Sequence, residues 1–392
     1  MRSSMFALAV AAAWLAGPRR AAAGDEPADF IADARLFYRV VACGGADAVP
    51  DGIDAPTVTA HCAEMAKRYQ HYQGKYVGPA RAFFAPLRPA TAPTTVVYPF
   101  GGGDLGSALV TYPDAREITT ISLEHAGDPT RLAKLDKRGL ARALAAYRDA
   151  SEGLLALYDS TSENMRKLER GGIPGQLSFH ITGMTALGFE PVSLKFVTLD
   201  ADGGVHYLTR AEIDGLAART AKKVKGGWVD TDFSEAFTHM ELTFRKAGDP
   251  SAPLIVHRHF AANLANKAFK DSPLHKHLLA KGKVSALTKA ASYLLWLDSF
   301  SEIRRYLLAN MAWMASDATG VPPADAKKAG FTQLTFGTFT GPFLDDAERS
   351  TGEAMVKLWA SQPHRKLPFR YGYPDANKNL HLMITQPAEA KP

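Results

Sequence analysis

The run Tyr98-Pro99-Phe100-Gly101-Gly102-Gly103-Asp104-Leu105-Gly106 has the residue types and spacing that point most directly to chemistry. Gly101, Gly103 and Gly106 match G-x-G-x-x-G, after a β-branched run and before an apolar one. Glycine lets a backbone approach a ligand, and a helix N-terminus favours an anion. Glu124 follows 18 residues after Gly106, where a nucleotide-binding βαβ unit places the carboxylate for the ribose hydroxyls. Asp104 argues against a dinucleotide, because it puts negative charge where a pyrophosphate would sit. It suits a methyltransferase-like turn or a helix N-cap instead. The expectation is a small polar ligand held by Gly101, Gly102, Gly103 and Gly106, with no cofactor.

A second candidate is Ser316-Asp317-Ala318-Thr319-Gly320-Val321-Pro322-Pro323. Asp317 and Thr319 would put a carboxylate and a hydroxyl at a cleft, or the run would simply stop a preceding helix. Asp104, Glu124 and Asp317 are thus the candidate catalytic carboxylates, as general acids or bases. A third is the pair of H-x-H motifs, His257/His259 and His275/His277. On a strand, that spacing points both imidazoles to one face, as metal sites require. A third ligand cannot be named from the sequence, since His180, His239 and His381 are scattered, and His275/His277 read as surface residues. No metal site is therefore assigned, and folding is not expected to depend on a metal. The motifs G-x-S-x-G, H-E-x-x-H and the P-loop are absent from the sequence.

These residues need elements to hold them. The β-branched run Thr94 to Tyr98 predicts an interior parallel strand, and Glu117 to Leu123 a second strand beside it. Leu105 to Tyr112 lies between them as a short helix. Further strands are expected at Val192 to Leu199, Val205 to Leu208, Met240 to Arg245, Leu254 to His259, Gln333 to Phe336 and Leu380 to Thr385. Helices are expected from about Pro129 to Leu168, near Arg210 to Lys222, and over Ala286 to Leu297, Phe300 to Met314 and Asp345 to Trp359. Asp200 to Gly204 turns one pair of strands into a hairpin. In the first 90 residues Thr57 caps a helix whose Met65, Tyr69, Tyr72 and Tyr76 form an apolar stripe. The fold class is α/β: a Rossmann-like, largely parallel sheet flanked by helices, with an antiparallel hairpin and a helical N-terminal portion. Residues 24–90 form that helical portion and 91–392 the α/β domain, with no clean linker between them.

The N-terminus reads as a secretory signal over residues 1–23: Arg2, the apolar run Met5 to Gly17, then Ala21-Ala22-Ala23. Arg19 and Arg20 follow the apolar run, so a twin-arginine route is not indicated, and Pro18 stands where a lipid anchor needs Cys. The mature chain is expected in the periplasm or outside the cell, with no transmembrane segment. Of 392 residues, 46% are apolar and 22% charged, which excludes disorder as the main state. The formal charge of +6 falls to +3 once the three signal arginines are removed. The densest basic run, Lys222 to Lys225, reads as a solvated loop, so nucleic acid is not an expected partner. Cys43 and Cys62 are the only two cysteines, 19 apart around a Gly/Pro-bearing loop. In an oxidising compartment they are expected to pair, contributing about 3 kcal/mol in the chain-entropy view.

The blocks YPFGGGDLGSALVTYP, ISLEHAG, TKAASYLLW with FSEIRRYLL, SDATGVPP and LPFRYGY resemble an uncharacterised family of exported bacterial proteins. The resemblance implies one architecture over most of the mature chain and brings no activity or catalytic residues with it. The leading functional reading is an exported protein that binds a small polar ligand at the Gly101–Gly106 turn. The alternatives are a hydrolase or transferase working through the nearby carboxylates, and a non-catalytic protein of the cell envelope.

Overall fold

The structure is a computed structural model. It describes residues 26–45, 49–156, 168, 172–217, 234–341, 349–371 and 380–388. The signal segment, Lys222 to Lys225 and the stretch 157–167 of the helix expected to reach Leu168 lie outside the described residues.

Ten strands make one sheet. In chain order they are β1 (Thr95–Pro99), β2 (Glu117–Ser122), β3 (Phe189–Leu199), β4 (Val205–Tyr207), β5 (His239–Lys246), β6 (Ile255–Ala261), β7 (Val284–Thr288), β8 (Met311–Ser316), β9 (Phe331–Gly337) and β10 (His381–Pro387). Across the sheet they run β4-β3-β5-β6-β2-β1-β7-β8-β10-β9. The five central strands, β6-β2-β1-β7-β8, are parallel. Every pairing outside them is antiparallel. The expectation of a largely parallel sheet is therefore corrected: only the centre is parallel. The outer strands β3 and β4 are half-exposed, and antiparallel strands tolerate water on one face where parallel ones do not.

β1 and β2 are adjacent and parallel, Val96 opposite Ile118, as the sequence predicts. Val96 and Val97 are both buried and enter different cores, which explains why the strand has no polar alternation. One core packs the helices Ala55–Tyr72, Leu105–Thr111, Lys137–Ala156 and Gly175–Ala186 onto one face of the sheet. The other packs Pro273–Ala280 and Ser301–Asn310 onto the opposite face. Met355 and Trp359 of the helix Arg349–Ala360 form a third small cluster with Phe339 and Met383.

Three local expectations change. Ala286 to Leu297 is not a helix: Ala286 lies in β7, and Ala290–Trp296 is a 3-10 turn. The second expected helix ends at Asn310, and Met311–Ser316 is β8. A strand buried on both faces shows the same unbroken apolar run as a buried helix, so periodicity cannot separate them. Asp54, not Thr57, stands at the N-cap of the Ala55–Tyr72 helix, and Thr57 donates its hydroxyl to Asp54. Cys43 and Cys62 form the expected disulfide, with Cα atoms 5.3 Å apart. Among the described residues no helix is long and apolar enough to cross a membrane.

Burial holds several histidines of this fold in the neutral form. His277 is buried rather than on the surface, and a ring nitrogen lies 2.9 Å from the Gly203 carbonyl. Burial first, and then Lys281 and Arg258 opposed by Glu117, hold its pKa down at about 4. Burial also lowers His239 to about 4 and, with His239 and His259 nearby, His125 to about 3. An unfolded histidine titrates near 6.5, so the unfolded chain takes up protons first as the pH falls. Stability is expected to be full above pH 6.5 and to decline as the pH falls from about 6.5 towards 4. Urea midpoints at pH 7.5 and pH 5 test this, and equal midpoints would contradict it.

Candidate functional site

The strand order reverses at β1: β2 and β6 lie to one side, β7 and β8 to the other. In open α/β sheets such a reversal opens a crevice at the carboxyl ends of the strands. Here β1 runs into Phe100 and the glycine turn, β7 into Lys289 and β8 into Asp317.

Asp104 caps the helix Leu105–Thr111, accepting the Ser107 N–H at 3.2 Å. Its other oxygen accepts from Lys289 Nζ at 2.8 Å and from the Tyr98 hydroxyl at 3.1 Å. Lys289 also donates to Ser107 Oγ at 2.9 Å, and Tyr76 donates to the same hydroxyl at 3.2 Å. The ammonium lies 5.1 Å from the centre of the Tyr371 ring. Both charges are buried, Asp104 at 7% and Lys289 at 8% exposure. Burial, reinforced by the Asp104 charge, raises Tyr98 and Tyr76 above the ordinary phenol range, so these tyrosines are neutral donors. The Tyr371 hydroxyl is buried with no hydrogen-bond partner among the described residues.

Asp317 ends β8 rather than a helix, so the helix-stop reading of its segment is corrected. One of its oxygens accepts the Thr319 N–H at 2.9 Å, and the other accepts the Ala290 N–H at 2.8 Å. Phe100 (φ 61°) and Ala290 (φ 49°) are both left-handed, a conformation that costs a non-glycine residue about 1–3 kcal/mol. They stand directly beyond β1 and β7, on the two sides of the reversal.

The four glycines are all buried, and protein atoms crowd Gly101, Gly103 and Gly106. A Cβ on Gly103 would stand 2.7 Å from the Phe179 side chain. One on Gly106 would stand 3.0 Å from the Tyr72 hydroxyl, and one on Gly183 would stand 2.8 Å from the Gly106 nitrogen. The helices Leu105–Thr111 and Gly175–Ala186 therefore cross backbone to backbone at Gly106 and Gly183. What approaches the glycine turn here is the protein's own helix.

Glu124 is not in this group. It follows β2, and its carbonyl accepts from His259 Nε2 at 2.8 Å. A carbonyl only accepts, so Nε2 carries the proton and Nδ1 is bare. Nδ1 takes the Thr120 hydroxyl proton at 3.1 Å, and Thr120 Oγ1 in turn accepts from His257 Nε2 at 2.9 Å. That leaves His257 Nδ1 a buried lone pair without a partner. His180 packs on this pair, with ring centres 4.4 Å from His257, and neither of its nitrogens has a hydrogen-bond partner among the described residues. Burial and the neighbouring imidazoles hold His180 and His257 neutral. Both motif histidines do face one way, as their spacing predicts. His259 has spent both nitrogens and is no ligand. A cavity of about 310 Å³ opens beyond, at the carboxyl end of β6, lined by Thr198, Leu199, His239, Phe260, Asn263 and Phe269.

The structure thus brings Asp104 and Asp317 to the same end of the sheet around Lys289 and Ala290, and puts Glu124 beside the histidines. Sequence reasoning gave no role to Lys289 or Tyr371, and considered His180 only as one of several scattered histidines. The available signal was a single basic side chain in a run otherwise free of charge: Lys289 in TKAASYLLW and His180 in LSFHITGM. Comparison with family models, curated proteins and solved structures finds no match to this chain.

Bonded and unbonded buried imidazoles should respond differently to removal. His180→Leu removes two unpaired polar atoms at nearly constant volume and is expected to leave stability unchanged or higher. His259→Leu strands Thr120 and the Glu124 carbonyl and is expected to cost about 1–3 kcal/mol. Denaturant unfolding of both variants checks this; equal losses would refute the bonding scheme.

Proposed function

We propose that the protein binds a small polar ligand at the strand-order reversal, next to the buried Asp104–Lys289 pair. The observation that carries this reading is the pair itself. A buried ion pair is poor value for stability, and here it sits between two strained residues where α/β sheets take their ligands. Asp104 cancels the Lys289 charge, so an anion such as pyrophosphate finds no net attraction there. A hydroxylated or zwitterionic molecule fits better, addressed by Lys289 and the Tyr371 hydroxyl.

The winding supports a Rossmann-like reading. Taking β1, β2, β6, β7, β8, β9 and β10 as strands one to seven, their spatial order is 3-2-1-4-5-7-6, with the seventh antiparallel to its neighbours. The reversal at β1, with the glycine turn directly after it, is the feature this reading rests on. Likeness of fold carries no activity by itself. The hydrolase or transferase reading has less support, because Asp104 and Asp317 already accept three hydrogen bonds each and Glu124 is elsewhere. The structural reading draws on the glycines, which Phe179, Tyr72 and Gly183 already fill. The signal-like N-terminus and the resemblance to exported bacterial proteins support action outside the cytoplasm.

Lys289→Met is expected to cost about 3–5 kcal/mol, because it strands a buried carboxylate, and Asp104→Asn in the same chain should restore most of that. The folded double variant then separates binding from stability. Native mass spectrometry for a co-purified ligand, and thermal shift against amino acids, nucleosides and sugars, are expected to give a hit with the parent and none with the double variant. No hit with the parent, or an equal hit with both, would overturn the reading.

A further inference from the structure

The corner that holds the disulfide contains a third group. Cys43 follows the helical turn Phe37–Val41, while His61 and Cys62 lie on the helix Ala55–Tyr72. The two sulfurs and a ring nitrogen of His61 all lie within 4.8 Å of one another. Among the described residues this is the one group of three metal-capable side chains that converges so closely. Cys43 reaches it only through a left-handed backbone, φ 58°, uncommon for a residue with a side chain. Gly44 follows it hard against the Tyr38 ring, where no side chain would fit.

His61 brings one bare ring nitrogen to this corner. Its Nε2 donates to the Val41 carbonyl at 2.8 Å, which leaves Nδ1 with the lone pair. That lone pair now accepts from Arg148 Nη1 at 3.2 Å, a half-buried guanidinium that can withdraw to solvent. A histidine whose far nitrogen is tied to a backbone carbonyl has the outer-shell bond typical of metal ligands. Both cysteines are half-buried, so water can reach the corner.

We propose that reduction of the Cys43–Cys62 bond turns this corner into a Cys₂His site for one divalent zinc-type ion, with water as fourth ligand. A dithiol reductant supplies two electrons and two protons: the S–S bond breaks, two thiols form, and the reductant closes its own disulfide. The ion then displaces both thiol protons to solvent and binds two thiolates. The two thiolates cancel the charge of the ion, which is what allows a dication in a half-buried corner. Tetrahedral zinc with Zn–S near 2.3 Å needs its sulfurs about 3.8 Å apart. Side-chain rotation of two freed cysteines supplies that opening, and release of Arg148 frees the His61 Nδ1.

Cobalt(II) is the probe, because thiolate-to-cobalt absorption in the near ultraviolet and tetrahedral bands in the visible report the ligand set. The protein is reduced with a dithiol, desalted without oxygen and titrated. One equivalent of cobalt is expected to bind the reduced protein and to leave when zinc is added, with no signal from the oxidised protein. Cys62→Ser is expected to abolish the thiolate band, and His61→Gln, whose amide still reaches the Val41 carbonyl, to weaken binding at least tenfold. Circular dichroism follows the fold throughout. Should the reduced chain lose structure, zinc is expected to restore it. The proposal fails if the reduced, folded protein takes up no cobalt, if zinc does not refold a chain that reduction unfolds, or if His61→Gln binds as the parent does.

Discussion

The salt bridge between Asp104 and Lys289 ties the turn after β1 to the end of β7. Asp104 stands at the turn after β1 and Lys289 at the end of β7, 185 residues later. The two strands are neighbours only because the sheet reverses there. Asp104 also starts the helix behind it and orients Tyr98, while Lys289 orders Ser107 and lies over Tyr371. In a dry interior each charge depends on the other, and the loss of either leaves a cost that packing cannot offset. The turns, the helix start and the tyrosine cluster are all arranged around keeping those two charges together.

The Gly106–Gly183 crossing is the steric counterpart. It lets the helix Gly175–Ala186 lie directly on the glycine turn and carry Phe179 and His180 into the core. Apart from Gln176 and His180, the polar groups of that helix are hydroxyls that bond back to carbonyls one turn earlier, as Ser178, Thr182 and Thr185 do. The same contact buries a glycine motif that, read alone, looks open to a ligand.

Much of this fold was legible from local pattern. β1, β2 and the helix between them fall within a residue or two of their sequence bounds, because β-branched runs and glycine turns act locally. The Cys43–Cys62 pairing was legible because only two cysteines exist. β7 and β8 were misread because burial on both faces erases the two-residue alternation. The helix Gly175–Ala186 was missed for the matching reason: buried all round, it shows no polar face. The candidate site was half legible. Asp104 and Asp317 stand out beside glycine and proline, but their partners Lys289 and Ala290 come from a distant part of the chain. Nothing in the spacing of residues says that a carboxylate at 104 will face a lysine at 289. That juxtaposition is set by strand order, which is a long-range property.

The strand order also sets a timetable. β2 pairs with β6 across 139 residues, Ile118 with His257, and β1 pairs with β7 across 189, Val96 with Ser285. At roughly 5–20 residues per second of synthesis, β1 waits about 10–40 seconds for the strand that completes it. Through that interval an apolar strand destined for the middle of the sheet has one edge of unpaired backbone, the form most open to wrong partners. The three antiparallel strands inserted between β2 and β6 lengthen the wait. Contacts this far apart in sequence make folding slow. A chain wound in this way keeps an unpaired edge open for longer than one whose neighbouring strands lie close in sequence.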